Sequence, residues 1–275
     1  MKPLLLIPNK SYSQAAVDFA GLLAKKANTP LTLLYAGKRE SDREAGEEFK
    51  EQAGKQLKGI DLTTEIIVGD QIESLHSVVA SHGIDVVIVG ETENGGFLGL
   101  SVDPIVDKVV FQSPVPVIEV HHPVERLERF LICTGGTERA NDAIETGSLL
   151  ASKTGAQTTL LYVTGTVPSM YTGLDQMDET LQEILDTDTP LSRHLHHGAE
   201  IMERYNLKAK LELRHGVPSD TIITSAESGD YDLIVLGASR VGKNLRNWLL
   251  GNVSKQVIER TNIPVMVVHI GQSIS

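Results

Sequence analysis

A chain of 275 residues with 41% apolar and 22% charged residues has the balance of a folded protein of one large or two small domains, which excludes wholesale disorder. Its net charge of −11 repels phosphate backbones and anionic lipid headgroups, so neither nucleic acid nor a membrane surface is an expected partner. The single cysteine, Cys133, excludes an internal disulfide framework and any multi-cysteine zinc site.

In chain order, the apolar run Leu4 to Pro8 reads as a buried strand. It is too short for a membrane span or a signal-peptide core, so a cytoplasmic location is expected. Ser13 to Ala27 carries Ala16, Phe19, Ala20, Leu23 and Ala27 at helical spacing. Leu31 to Ala36 is a strand, Glu40 to Leu57 a glutamate-rich helix and Thr63 to Val68 a strand. Ile72 to Ser81 is expected to be a helix, Asp85 to Gly90 a strand, Asp103 to Phe111 a helix and Pro116 to Val120 a strand. His121 to Glu128, HHPVERLE, suits a short exposed linker.

Beyond that linker the chain repeats itself. Gln14 to Tyr35 recurs as Asn141 to Tyr162, 127 residues on, with Leu22, Leu23, Ala24, Lys26 and the run Thr32 to Tyr35 unchanged. IDVVIVGE (Ile84 to Glu91) recurs as YDLIVLGA (Tyr231 to Ala238), now 147 residues on. The second copy therefore holds about 20 added residues, assigned to Thr164 to Tyr205 as an exposed loop, Gly165 to Gly173, and a helix, Leu191 to Tyr205. PVPVIEVH and NIPVMVVH close the two copies alike. The expected organisation is two homologous domains, 1–123 and 127–275. Alternating strands and helices predict an α/β fold, two tandem doubly wound parallel-sheet domains, with ligands at the carboxyl ends of the strands.

The strongest chemical signal follows the strand YDLIVL. It reads GASRVGKNLRNWLLGNVSKQVIER, Gly237 to Arg260. Gly237, Gly242 and Gly251 permit close backbone approaches. Asn252 suits the N-cap of the helix that follows, whose free amides and positive dipole end suit a phosphate. Ser239, Asn252 and Ser254 supply polar groups, and Arg240, Lys243 and Arg246 bring cations into an acidic protein. A P-loop fits Gly237, Gly242 and Lys243, but Asn244 stands where a magnesium-binding Ser or Thr belongs. A nucleophile elbow at Ser239 needs a glycine where Val241 stands.

The segment resembles the nucleotide-binding segment of the universal stress protein family, a pattern of glycine, two residues, glycine, nine residues, glycine and a serine or threonine. Gly237, Leu249-Leu250-Gly251, Val253 and Ser254 match it; YDLIVLG, NIPVMVV and GVPSDTIITSA (Gly216 to Ala226) match the flanking elements. The resemblance spans the chain as a tandem pair. It implies the adenine nucleotide alpha hydrolase-like fold and a regulatory stress-response role. It also implies ATP or a related adenine nucleotide as ligand, with magnesium left open. The pattern is altered here: Arg240 stands at the second glycine's spacing, Asn252 replaces the serine or threonine, and Gly135 stands where nucleotide-binding members carry an aspartate. After Thr134, Gly135-Gly136-Thr137 can still offer amides to an anion. The resemblance places the adenine edge near Val163. In the first copy Asp103-Pro104 replaces the phosphate-end pair, Glu91 and Glu93 add repulsion, and Asn9 is assigned the aspartate's position. That copy is expected to be structural or partner-binding.

His194 and His197, one turn apart, read as solvated helix histidines, and Cys133 as a packed small hydrophobe. His121-His122 reads as linker, Trp248 as packing, and Glu44, Glu47, Glu48 and Glu51 as a solvated face. The leading reading is a nucleotide-binding regulator that uses the second copy only. A purely interacting or dimerising protein competes with it, as does an enzyme, at most a slow ATP hydrolase, for which no catalytic residue stands out. The resemblance also implies pairing through the last strand of each copy. In a tandem chain this makes an internal pseudo-dimer, from which two chains can assemble further.

Overall fold

The apolar runs become strands of one sheet. A computed structural model describes residues 1–10, 12–90, 104–165, 180–238, 252–269 and 271. In the first copy β1 (Pro3–Ile7), β2 (Leu31–Gly37), β3 (Leu62–Val68), β4 (Val86–Gly90) and β5 (Val117–Val120) alternate with helices. These are α1 (Gln14–Ala27), α2 (Arg43–Gln56), α3 (Gln71–His82) and α4 (Pro104–Gln112). The second copy has β6 (Arg129–Thr134), β7 (Gln157–Thr164), β8 (Leu211–His215), β9 (Leu233–Ala238) and β10 (Val265–His269). Its helices are α5 (Asn141–Thr154), α6 (Leu181–Leu185), α7 (Pro190–Arg204), α8 (Pro218–Ser228) and α9 (Asn252–Arg260).

Two expectations change in detail. The helix expected over 40–57 opens with a separate 3₁₀ turn, Glu40–Asp42, because the Asp42 carboxylate accepts the Lys38 and Arg39 amides at 3.0 Å and holds a turn there. The added segment supplies α6 ahead of α7, and most of the loop expected at Gly165 to Gly173 lies outside the described residues.

The ten strands run in the order β3-β2-β1-β4-β5-β10-β9-β6-β7-β8. Pairing is parallel within each copy, as alternating strands and helices require. The copies join through an antiparallel pair, with Val265 opposite Glu119, Met266 opposite Ile118 and Val267 opposite Val117. Two like copies meeting through their last strands across an approximate two-fold axis must run in opposite directions there. Each pairing also covers what would otherwise be an exposed sheet edge.

One apolar core covers each face of the sheet. Phe19, Leu23, Phe49, Ile144, Leu150 and Met202 belong to the first, carried by α1, α2, α5 and α7 with the strands beneath. Leu75, Val78, Val109, Ile222 and Val257 belong to the second, under α3, α4, α8 and α9. Both layers include residues of both copies, so the hydrophobic core is divided by face and not by copy.

The repeat extends to polar detail. Asp85 accepts the Lys2 amide at 2.6 Å, and its counterpart Asp232 accepts those of Glu128 and Arg129 at 2.8 and 3.0 Å. Each aspartate ties the start of the copy's first strand to the approach to its fourth. Gly69 and Gly216, just after β3 and β8, have φ of 149° and 150°, a backbone conformation that side chains disfavour.

Candidate functional site

In the second copy the strand order turns back between β6 and β9, and a cleft of about 490 Å³ lies at their carboxyl ends. This is the place an open α/β sheet reserves for ligands, and the volume suits a small molecule. Thr134, Gly135, Val163, Gly237, Val253 and Ser254 all line it, drawn together from β6, β7, β9 and α9. Asn252 is exposed and is not among the lining residues. It is the first residue of α9 and does not precede the helix as an N-cap would. Ser239, Gly242 and Gly251 lie outside the described residues, as do Arg240, Lys243, Arg246 and Trp248.

Leu161, Val163, Pro218 and Ile222, from β7 and α8, give the cleft apolar lining. Thr134, Gly135 and, from the 3₁₀ turn Glu138–Ala140, the exposed Arg139 also line it. Arg139 has no carboxylate partner among the described residues, so it is a cation available to an anionic ligand. Its only sequence signal is its place one turn after Thr134-Gly135-Gly136, which composition does not reveal. A Cβ added at Gly135 would meet nothing within 4 Å, so the site has room for the carboxylate that Gly135 replaces. The Ser254 hydroxyl is directed at the Gly237 carbonyl at 3.4 Å, and that long bond draws its proton away from the cleft. Cys133 lines the same cleft but is buried, which pushes its thiol well above the ordinary range, in keeping with a packed hydrophobe.

His194 overturns its expected solvation. It lies on the inner face of α7 at 5% exposure, and its Nε2 is 2.6 Å from the Thr134 hydroxyl oxygen. Thr134 Oγ1 also accepts the Gly136 amide at 3.1 Å. Burial holds the His194 pKa below its ordinary value; His197 acts in the same direction and Glu138 against it. His197 itself is exposed and faces Glu200 at 3.3 Å. Among the described residues no group of three or more His, Cys, Asp or Glu side chains is arranged to hold a metal ion.

The first copy narrows the same place, where a smaller cleft of about 280 Å³ is lined by Gln71, Ile72 and Ile105. The strand registers put Ile7 opposite Tyr35 and Thr134 opposite Tyr162, so Ile7 and Thr134 are equivalent. Pro8 and not Asn9 then corresponds to Gly135, because one constant offset carries the whole strand. The Gln71 side-chain amide donates to the carbonyls of Pro8 and Ala36, the latter at 2.7 Å. Gln71 thus bridges the ends of β1 and β2, where the second copy keeps Gly135 and Val163 apart. Its counterpart, Pro218, has no amide to reach across. Asp70 caps α3 by accepting the Ile72 and Glu73 amides at 2.9 and 3.0 Å, whereas its counterpart Val217 leaves α8 without a side-chain cap.

Comparison with known proteins agrees with this architecture. The sequence model of the universal stress protein family matches the chain twice, over residues 2–121 and 126–269. A universal stress protein of Methanocaldococcus jannaschii is 28% identical over 142 residues, 51% of this chain and 81% of its own. One from Methanothermobacter thermautotrophicus is 29% identical over 136 residues, 49% of this chain and 90% of its own. Among solved structures, a universal stress protein from Archaeoglobus fulgidus superposes with a TM-score of 0.66 at 19% identity, covering 98% of this chain and 96% of that one. A universal stress protein from Pseudomonas aeruginosa gives 0.66 at 16% identity, covering 98% and 92%. The repeat, the ten-stranded sheet and the two family matches lead to one conclusion: the chain belongs to the universal stress protein family and carries two of its domains in tandem.

Proposed function

We propose that this chain is a stress-response regulator that binds ATP or a related adenine nucleotide in the cleft of its second copy, while the first copy serves as scaffold or partner-binding domain. The observation that carries this reading is the open cleft at the β6–β9 switch point, whose lining combines apolar residues with Thr134, Gly135 and Arg139. Val163, Pro218 and Ile222 would take the base, and Arg139 with the α9 amino end would face the phosphates. Thr134 and His194 form a hydroxyl–imidazole contact at the cleft, and binding rather than turnover is the activity proposed. The protein would act in the cytoplasm, alone or as a homodimer.

The test is mass spectrometry of small molecules released from freshly purified protein, beside a Gly251→Asp variant. Adenine nucleotide near one per chain, absent from the variant, supports the reading. No release, together with no heat on titration with ATP, sinks it. A second reading, an interaction protein without nucleotide, is favoured by Gly135, which removes a carboxylate that nucleotide-binding relatives are expected to carry. The same titration decides between the two.

A further inference from the structure

The Thr134 hydroxyl oxygen has two lone pairs and one proton. One lone pair takes the Gly136 amide. The contact with His194 Nε2 at 2.6 Å uses either the second lone pair or the proton, depending on which ring nitrogen of His194 is protonated. The other ring nitrogen decides the matter. His194 Nδ1 is buried and has no hydrogen-bond partner. If the proton sat on Nδ1, a buried N–H donor would be left without an acceptor, an arrangement rarely seen in folded proteins. With the proton on Nε2, Nδ1 keeps only an unused lone pair, and the proton without a protein acceptor is that of Thr134, which lines the cleft and is met there by water or ligand, the cheaper deficit. The Nε2–H then donates to Thr134, and both Thr134 lone pairs are occupied.

From this we infer that His194 is a positioning residue: it fixes Thr134 as a one-way hydrogen-bond donor whose proton faces the cleft, and so selects a ligand oxygen that accepts. Thr134 lines the cleft, and no other described group takes its proton. Resting on the nucleotide reading, the oxygen selected is a phosphate or ribose oxygen of the adenine nucleotide. A second ring proton would place an N–H at Nδ1 with no acceptor, so the imidazole stays neutral, in line with its lowered pKa. Glu138, across from α7, is the one charged group that favours the charged ring, and His197 opposes it. The equivalent of Thr134 in the first copy is Ile7, which has no hydroxyl, so the device belongs to the second copy alone.

Two measurements test this separately from nucleotide binding itself. Long-range ¹H–¹⁵N correlation spectra of the ligand-free chain report the ring tautomer, assigned by comparison with His194→Gln. Protonated Nε2 with bare Nδ1 is expected at neutral pH; protonated Nδ1 overturns the inference whether or not ATP binds. Calorimetry with ATP then reads the positioning. His194→Leu is expected to weaken ATP about 10-fold, the value of one directed hydrogen bond, while His194→Gln, which keeps a donor near Nε2, stays within about 2-fold. In a Thr134→Val background the His194→Leu change should have no further effect. An equal loss in both backgrounds, or no loss in either, overturns the positioning role. A chain that binds no ATP at all but holds the Nε2 proton refutes the nucleotide reading and leaves the tautomer assignment standing.

Discussion

The two copies share a strand plan and differ, besides the added segment of the second, at the strand ends around the cleft. In the first, Ile7, Pro8, Asp70 and Gln71 make an apolar strand end, a capped helix and an amide that bridges two strands. In the second, Thr134, Gly135, Val217 and Pro218 stand at those positions. They leave a hydroxyl, an open backbone, an uncapped helix start and a gap. None of the four changes disturbs the strands beneath. The comparison teaches that one α/β unit presents a narrower or a wider cleft through side chains at its rim, on the same strand plan.

The largest effect is expected where the copies meet. Val265 and Val117 are fully buried at the β5–β10 junction. Val265→Asp or Val117→Asp would bury an unpaired carboxylate there and cost about 3–5 kcal/mol. Calorimetric scans should show a large drop in melting temperature and a split into two transitions. An unchanged melting profile for both variants would refute the junction as the hold between the copies.

Gln71→Ala would leave the Pro8 and Ala36 carbonyls without their amide and cost about 2 kcal/mol, read by urea denaturation. It should not create a second ATP site, because Asp103 and Pro104 stand where the second copy has Gly251 and Asn252. Two nucleotides per chain after this change would mean that the Gln71 bridge alone had kept the first copy from binding.

Val217→Asp transplants the other way. Val217 has φ −73° and ψ 119°, nearly the −71° and 122° of Asp70, and is 56% exposed. An aspartate there should cap α8, raise stability by about 1 kcal/mol and, by setting a carboxylate at the cleft mouth, weaken ATP. A chain that is more stable and binds ATP unchanged would dissociate Val217 from the site.

The smallest effect is a pH dependence. Burial lowers the His194 pKa in the folded chain, so the folded state binds that proton less readily than the unfolded state. The contribution is intact above the ordinary histidine range near pH 6.5, is lost as pH falls from there through the lowered folded value, and is constant below it. Melting temperature between pH 7 and 5 should fall more for the parent chain than for His194→Gln. Equal slopes would contradict this.

The strand and helix order was legible because the apolar runs are unambiguous and occur twice. Thr134, Gly135, Val163 and Gly237 could be found because glycines and strand ends mark a switch point. Gln71, His194 and Arg139 could not. Gln71 lies just ahead of the helix expected from Ile72, and its residue type signals no role until its amide is seen between two carbonyls. His194 belongs to a run, RHLHH, in which spacing alone does not say which histidine faces inward. The packing of α7 on β6 and β7 decides that. Asn9 was misassigned because the loop after β1 has no pattern of its own, whereas the strand registers identify Pro8.

The antiparallel seam has a further consequence. Two separate chains meeting through such strands would dissociate on dilution, and identical chains would present identical clefts. Here the partner is delivered by the same polypeptide across the short segment between Val120 and Arg129, so the effective concentration is set by tether length and not by expression level. The arrangement is in effect an obligate heterodimer with invariant one-to-one stoichiometry. Each half is free to diverge at its rim, because neither can be exchanged for a copy of the other.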